Sequence, residues 1–129
     1  MRTKRNNDAE NPNDYDRRSM AYDEKLAARI RELVGDEPDL TEKKMFGGLA
    51  FLIGGNMAVS ASGRGGLMVR VDPEESDDLV TTTPARPMEM RGREMKGWLR
   101  LDTEDVRTKK ELSTWVRRGV AFARSLPAK

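Results

Sequence analysis

Residues 49–71 read LAFLIGGNMAVSASGRGGLMVRV. Three short β-prone runs, 49–53, 57–62 and 67–71, are parted by Gly54-Gly55-Asn56 and by Gly63-Arg64-Gly65-Gly66. Glycine and asparagine reach positive φ at little cost, so the first break suits a tight hairpin turn. Runs of this length with local, glycine-marked breaks predict an antiparallel meander. Upstream, residues 42–46 lead into Gly47-Gly48 and belong to the same glycine-punctuated region.

Helical patterns flank the meander. Tyr22, Leu26, Ile30, Leu33 and Val34 recur at helical spacing and predict an amphipathic helix over 22–34, with Gly35 as its stop. Asp72 and Pro73 have the form of a helix start, and Glu74, Glu75, Asp77 and Asp78 suit the positive end of a short helix ending near Thr81. Residues 88–90 and 95–101 read as two strands around Arg91-Gly92-Arg93. Thr108 and Glu111 have capping-box spacing. Leu112, Trp115, Val116, Gly119, Phe122, Ala123 and Leu126 then trace one face of a last helix, ended by Pro127. The expected fold is α+β: an antiparallel sheet of about five strands with helices packed on it, in the order α-β-β-β-α-β-β-α. Trp98 and Trp115 are expected as its largest core pieces.

Residues 1–19 are polar, with Tyr15 as the only large apolar side chain after Met1, and are expected to be a disordered tail ahead of one domain over 20–129. Met20 is the expected natural start. The N-terminus lacks an apolar signal region, which makes the cytoplasm the expected location and a membrane partner unexpected.

Composition removes several chemistries. The 129 residues contain no cysteine and no histidine. Thiolate nucleophiles, Cys-ligated metal sites and Ser-His-Asp machinery are therefore excluded. Neither a metal nor a cofactor is expected. An enzyme here would be forced onto carboxylates such as Glu42 or Glu94. Lys plus Arg is 24 against 22 for Asp plus Glu, a net charge of +2 that does not by itself argue for nucleic acid.

Met20-Ala21-Tyr22-Asp23 opening a helix, Lys44-Met45-Phe46-Gly47-Gly48, the glycine-punctuated meander, a Trp-bearing strand and a final helix with Trp115-Val116 together resemble the TfoX N-terminal domain family, over about residues 20–126. The resemblance implies a secretion-chaperone-like α+β domain. Full-length members resemble regulators of natural competence that act with a cyclic-AMP receptor protein and carry a second, C-terminal domain. The sequence ends at Lys129 without one, so a stand-alone N-terminal-type domain is expected. The implied function is regulatory or protein-interacting rather than enzymatic, with an unidentified protein as partner.

Several features admit two readings. Met45, Phe46, Gly47 and Gly48, the family motif, form either an approach point for a ligand or a core residue beside a bend in the sheet. Gly63-Arg64-Gly65-Gly66 faintly resembles a phosphate loop, but it joins two strands and lacks a following helix, so a turn is the simpler account. Cations concentrate late in the chain. Arg91, Arg93, Lys109, Lys110, Arg117 and Arg118 either form a surface for nucleic-acid phosphates or balance the acidic helix. Met88, Met90 and Met95 either line an adaptable groove for a partner or fill core. The alternatives to a protein-interaction domain are thus a nucleic-acid-binding accessory domain, or a small-ligand binder or enzyme of unknown reaction.

Overall fold

A computed structural model describes residues 22–45 and 47–129. The expectations for 1–19, for Met20 and for Phe46 lie outside these residues. Helix α1, Glu24–Val34, starts where the Asp23 carboxylate accepts the N–H groups of Lys25 and Leu26 at 2.9 and 3.2 Å. Gly35 follows it at φ −57, so the left-handed step that turns the chain is taken later, by Asp39 at φ 63.

Six antiparallel strands then form one sheet: β1 Leu40–Met45, β2 Gly48–Ile53, β3 Asn56–Ala61, β4 Leu67–Arg70, β5 Arg86–Met90 and β6 Arg93–Leu101, in the order β1-β2-β3-β4-β6-β5. The added member beyond the meander and the late hairpin is β1. Its Thr41-Glu42-Lys43-Lys44 run is exposed, so apolar alternation never marks it. It is an edge strand, and its two lysines suit an edge that must not pair further. Between β4 and β5 lies α2, Ser76–Thr82. Asp72 does not cap it. Its carboxylate accepts Glu74 N–H at 2.9 Å, closing a local turn that contains Pro73, and the helix begins after that turn. A 3-10 turn, Thr103–Val106, leads into α3, Lys109–Ser125, whose Thr108/Glu111 capping box is formed in both directions.

The helices cover one face of the sheet. Leu26, Ile30 and Val34 of α1, Leu79 of α2, and Leu112, Trp115 and Val116 of α3 meet Leu49, Phe51, Val59, Ala61, Leu67, Val69, Leu99 and Leu101 in the main core. Full burial of each large side chain contributes about 1.5–3 kcal/mol before entropy is counted. Gly119 lets α3 lie directly on β3: a Cβ there would stand 2.4 Å from the Ala58 carbonyl oxygen. Among the described residues no helix covers the opposite face, and none is long and apolar enough to cross a membrane.

Candidate functional site

Strand alternation decides what that second face holds. With Leu99 and Leu101 turned to the helices, Trp98 and Arg100 point the other way. Likewise Leu67 and Val69 face the core while Met68 and Arg70 do not. Trp98 is therefore not a central core residue, as its sequence context suggested. It is partly exposed on the open face, whereas Trp115 is buried at 7% exposure. A second apolar cluster forms there, with Ala50, Met57 and Met68 buried and Met45, Leu52, Met88 and Trp98 packed around them.

The cluster is the floor of a groove of about 420 Å³. Met45, Met57, Met68, Met88, Met90 and Met95 all line it, and these are every methionine within residues 22–129. Leu52 and Trp98 complete the apolar wall. Met95, at 36% exposure, is the exposed large hydrophobic of the described residues.

A break in β6 brings the late hairpin to this face. The β5–β6 register jumps from Pro87↔Leu99 to Met88↔Met95, leaving Lys96, Gly97 and Trp98 without partners on β5. Gly97 bonds inward instead: its carbonyl accepts Val71 N–H at 2.8 Å, and its N–H donates to Ser76 Oγ at 3.3 Å. It sits at φ +86, where a side chain is strained. Beyond this kink, Met88, Met90 and Met95 line the groove with the floor residues.

The other end is closed by the segment after α3. Asn56 Nδ2 donates to Pro127 O at 3.0 Å, and Lys129 N–H donates to Gly54 O at 2.8 Å. Lys129 and Gly55 thereby join the groove lining. Arg70 is its remaining polar member. The guanidinium carbon lies 5.0 Å from the centroid of the Trp98 ring and 5.5 Å from that of Phe122, within cation–π range of both. Two register positions from the Arg70↔Trp98 pair, Arg100 faces Arg86 directly across β5–β6. Burial, then the neighbouring Arg64 and Arg86, push the Arg100 guanidinium below its ordinary value. Its Nη2 donates to Gly65 O at 3.2 Å, while its buried Nε has no partner among the described residues.

The residues singled out in the sequence fall in several places. Met45 lines the groove, and Gly47, at φ +78, turns the chain from β1 into β2. Gly48 sits so close to β3 that a Cβ would meet Ala61 O at 2.4 Å. Arg91 and Arg93 flank Gly92 in the exposed β5–β6 turn, and Arg91 itself has φ 54. Lys109 and Lys110 are exposed in the first turn of α3. Arg117 and Arg118 line a cleft of about 500 Å³ beside Asp72 and Glu75, and Arg118 pairs with Glu75 at 3.2 Å. The six cations thus occupy the hairpin turn, the start of α3 and its middle. Further ion pairs join Arg31 to Glu42, Arg124 to Glu37, Lys96 to Asp77 and Arg86 to Asp102. Among the described residues no group of three or more acids could hold a metal ion.

Sequence reasoning reached Met88, Met90 and Met95 but missed Met57, Met68, Leu52, Arg70 and Trp98. Part of the signal was there: Met68 lies between the main-core residues Leu67 and Val69, and Trp98 precedes the main-core residue Leu99. The family described as the TfoX N-terminal domain matches residues 32–123. No curated protein matches the chain.

Proposed function

The chain belongs to the TfoX N-terminal domain family, and from that premise we propose that it is a non-enzymatic regulatory module that docks a segment of a protein partner in the methionine-lined groove. The gathering of all six methionines of residues 22–129 on one sheet face carries this reading. Unbranched, polarisable methionine side chains re-pack around varied apolar shapes, which suits a surface that must accept a partner. The groove volume lies within the range of ligand-binding sites. Resemblance to competence regulators supports a regulatory role. A cytoplasmic setting suits a chain without cysteine.

The nucleic-acid alternative draws less support. Arg118, the most buried of the cations proposed for it, is held by Glu75, and Arg117 lines the same cleft as Asp72. The test is a capture experiment from native cells with the unaltered chain, with Met90→Glu in the groove and with Arg117→Glu on α3. A stoichiometric protein kept by the unaltered chain and by Arg117→Glu, but lost with Met90→Glu, is the expected result. Retention by Met90→Glu with loss by Arg117→Glu contradicts the reading and moves the contact to α3.

A further inference from the structure

The groove is apolar in its walls but not neutral. Its charged lining side chains are those of Arg70 and Lys129, both cationic, and no Asp or Glu side chain lines it. Four arginines of the fold are matched to carboxylates: Arg31 with Glu42, Arg118 with Glu75, Arg124 with Glu37 and Arg86 with Asp102. Arg70, the arginine that lines the groove, is not among them. Among the described residues it has neither an ion pair nor a side-chain hydrogen bond, and only the two aromatic rings hold it. It is also partly buried, so water compensates its charge incompletely. Arg100, which lies opposite the groove residue Met68 and has no carboxylate partner among the described residues, adds positive charge to the same sheet face. Asp102 beside it is already taken by Arg86 at 2.6 Å.

From this charge pattern, and resting on the reading of the groove as a protein-docking site, we infer that the partner's docking segment is apolar and acidic. Its apolar side chains enter between the methionines, and an aspartate or glutamate beside them meets the guanidinium of Arg70. Held over the two rings, the guanidinium has N–H donors with no hydrogen-bond partner among the described residues, and such a planar fork takes a carboxylate in two parallel hydrogen bonds. A lysine at the same position keeps the charge but loses both the fork and the stack. The chain's own residues 1–21 are a poor match for this occupant: their large apolar side chains, Met1, Tyr15 and Met20, are scattered, and the bases Arg2, Lys4, Arg5, Arg17 and Arg18 offset the acids Asp8, Glu10, Asp14 and Asp16.

The test is selection of peptides from a random dodecapeptide display library on the full chain, repeated on Met90→Glu, Arg70→Gln and Arg70→Glu. The expected pool from the unaltered chain combines apolar residues with Asp or Glu. Its peptides should bind Met90→Glu poorly and should lose about tenfold or more in affinity with Arg70→Gln. Arg70→Lys should fall between. Arg70→Glu should select a pool without the acidic preference. Near-UV circular dichroism of each variant shows that the fold is kept, and Arg70→Gln serves should Arg70→Glu fail to fold. A pool that depends on Met90 but shows no acidic preference, or keeps its affinity for Arg70→Gln, overturns the inference and leaves the docking groove standing. A pool indifferent to Met90→Glu, or no enrichment at all, overturns both. Concentration-dependent dimers broken by Met90→Glu also overturn it, by making a second copy the occupant.

Discussion

Replacing Gly97 with alanine tests whether the kink that carries the hairpin to the groove depends on a missing side chain. Two costs add at this position. The backbone is at φ +86, and holding a residue with a Cβ there costs about 1–3 kcal/mol. The new methyl would also stand 3.0 Å from the Val71 carbonyl oxygen and 3.1 Å from Pro73 Cγ. One is backbone and the other a ring, so neither can swing aside, and crowding adds about 1 kcal/mol or more. Gly92 is the control. Its φ is +78, but nothing lies within 4 Å of the position its Cβ would take. Gly92→Ala should therefore show the backbone cost without the crowding. For a domain of this size, about 4 °C of midpoint follows each kcal/mol. Gly97→Ala is expected to unfold roughly 8–16 °C below the parent, and at least about 4 °C below Gly92→Ala. Thermal unfolding followed by circular dichroism reads both. A Gly97→Ala midpoint equal to the parent's, or to that of Gly92→Ala, would refute the reasoning.

Three further outcomes are expected. With Trp115→Phe, the remaining Trp98 should be quenched by acrylamide far more readily than Trp115 is in Trp98→Phe; equal quenching would place both rings in the core. Gly119→Ala gains helix propensity worth about 1 kcal/mol but forces a Cβ to 2.4 Å from Ala58 O, so urea unfolding should show a net loss of stability rather than a gain. The Arg31 guanidinium, by hydrogen bonds at 2.6 and 2.8 Å, holds the Glu42 carboxyl below its ordinary value. A depressed folded value stabilises above the unfolded glutamate pKa of about 4.3 and is lost as pH falls through the lower folded value. Urea midpoints should therefore fall on acidification below about pH 4.5 less steeply in Glu42→Gln than in the parent; parallel slopes would deny the pair a role.

Much of the fold is legible because each element carries its own local signal. The Thr108/Glu111 capping box, the Gly54-Gly55 turn and the apolar stripe of α3 appear where spacing puts them. β1 was invisible because its pairing with β2 is made by backbone, while its side chains are solvated. Helix α2 starts late because Asp72 spends its carboxylate on Glu74 in a turn before it can cap. The site was half legible. A run such as Leu67-Met68-Val69 is apolar at every position, so it shows that both faces are buried or sticky without saying which residue faces which way. Leu99 and Leu101 fix the side of Trp98 only once β6 is known to lie beside β4. Arg70 carries no motif at all. Its significance comes from Trp98 on a neighbouring strand and Phe122 on α3, contacts set by the tertiary fold.

Methyl NMR of protein labelled at methionine, leucine and valine methyls, titrated with the captured partner, reads the groove directly. If the open sheet face is where this domain docks, resonances of Met45, Met57, Met68, Met88, Met90 and Met95 move together while the Val59 and Leu99 methyls beneath the helices stay in place. Unmoved methionines, with shifts confined to α3, would show that the partner binds elsewhere and that the methionines are only packing.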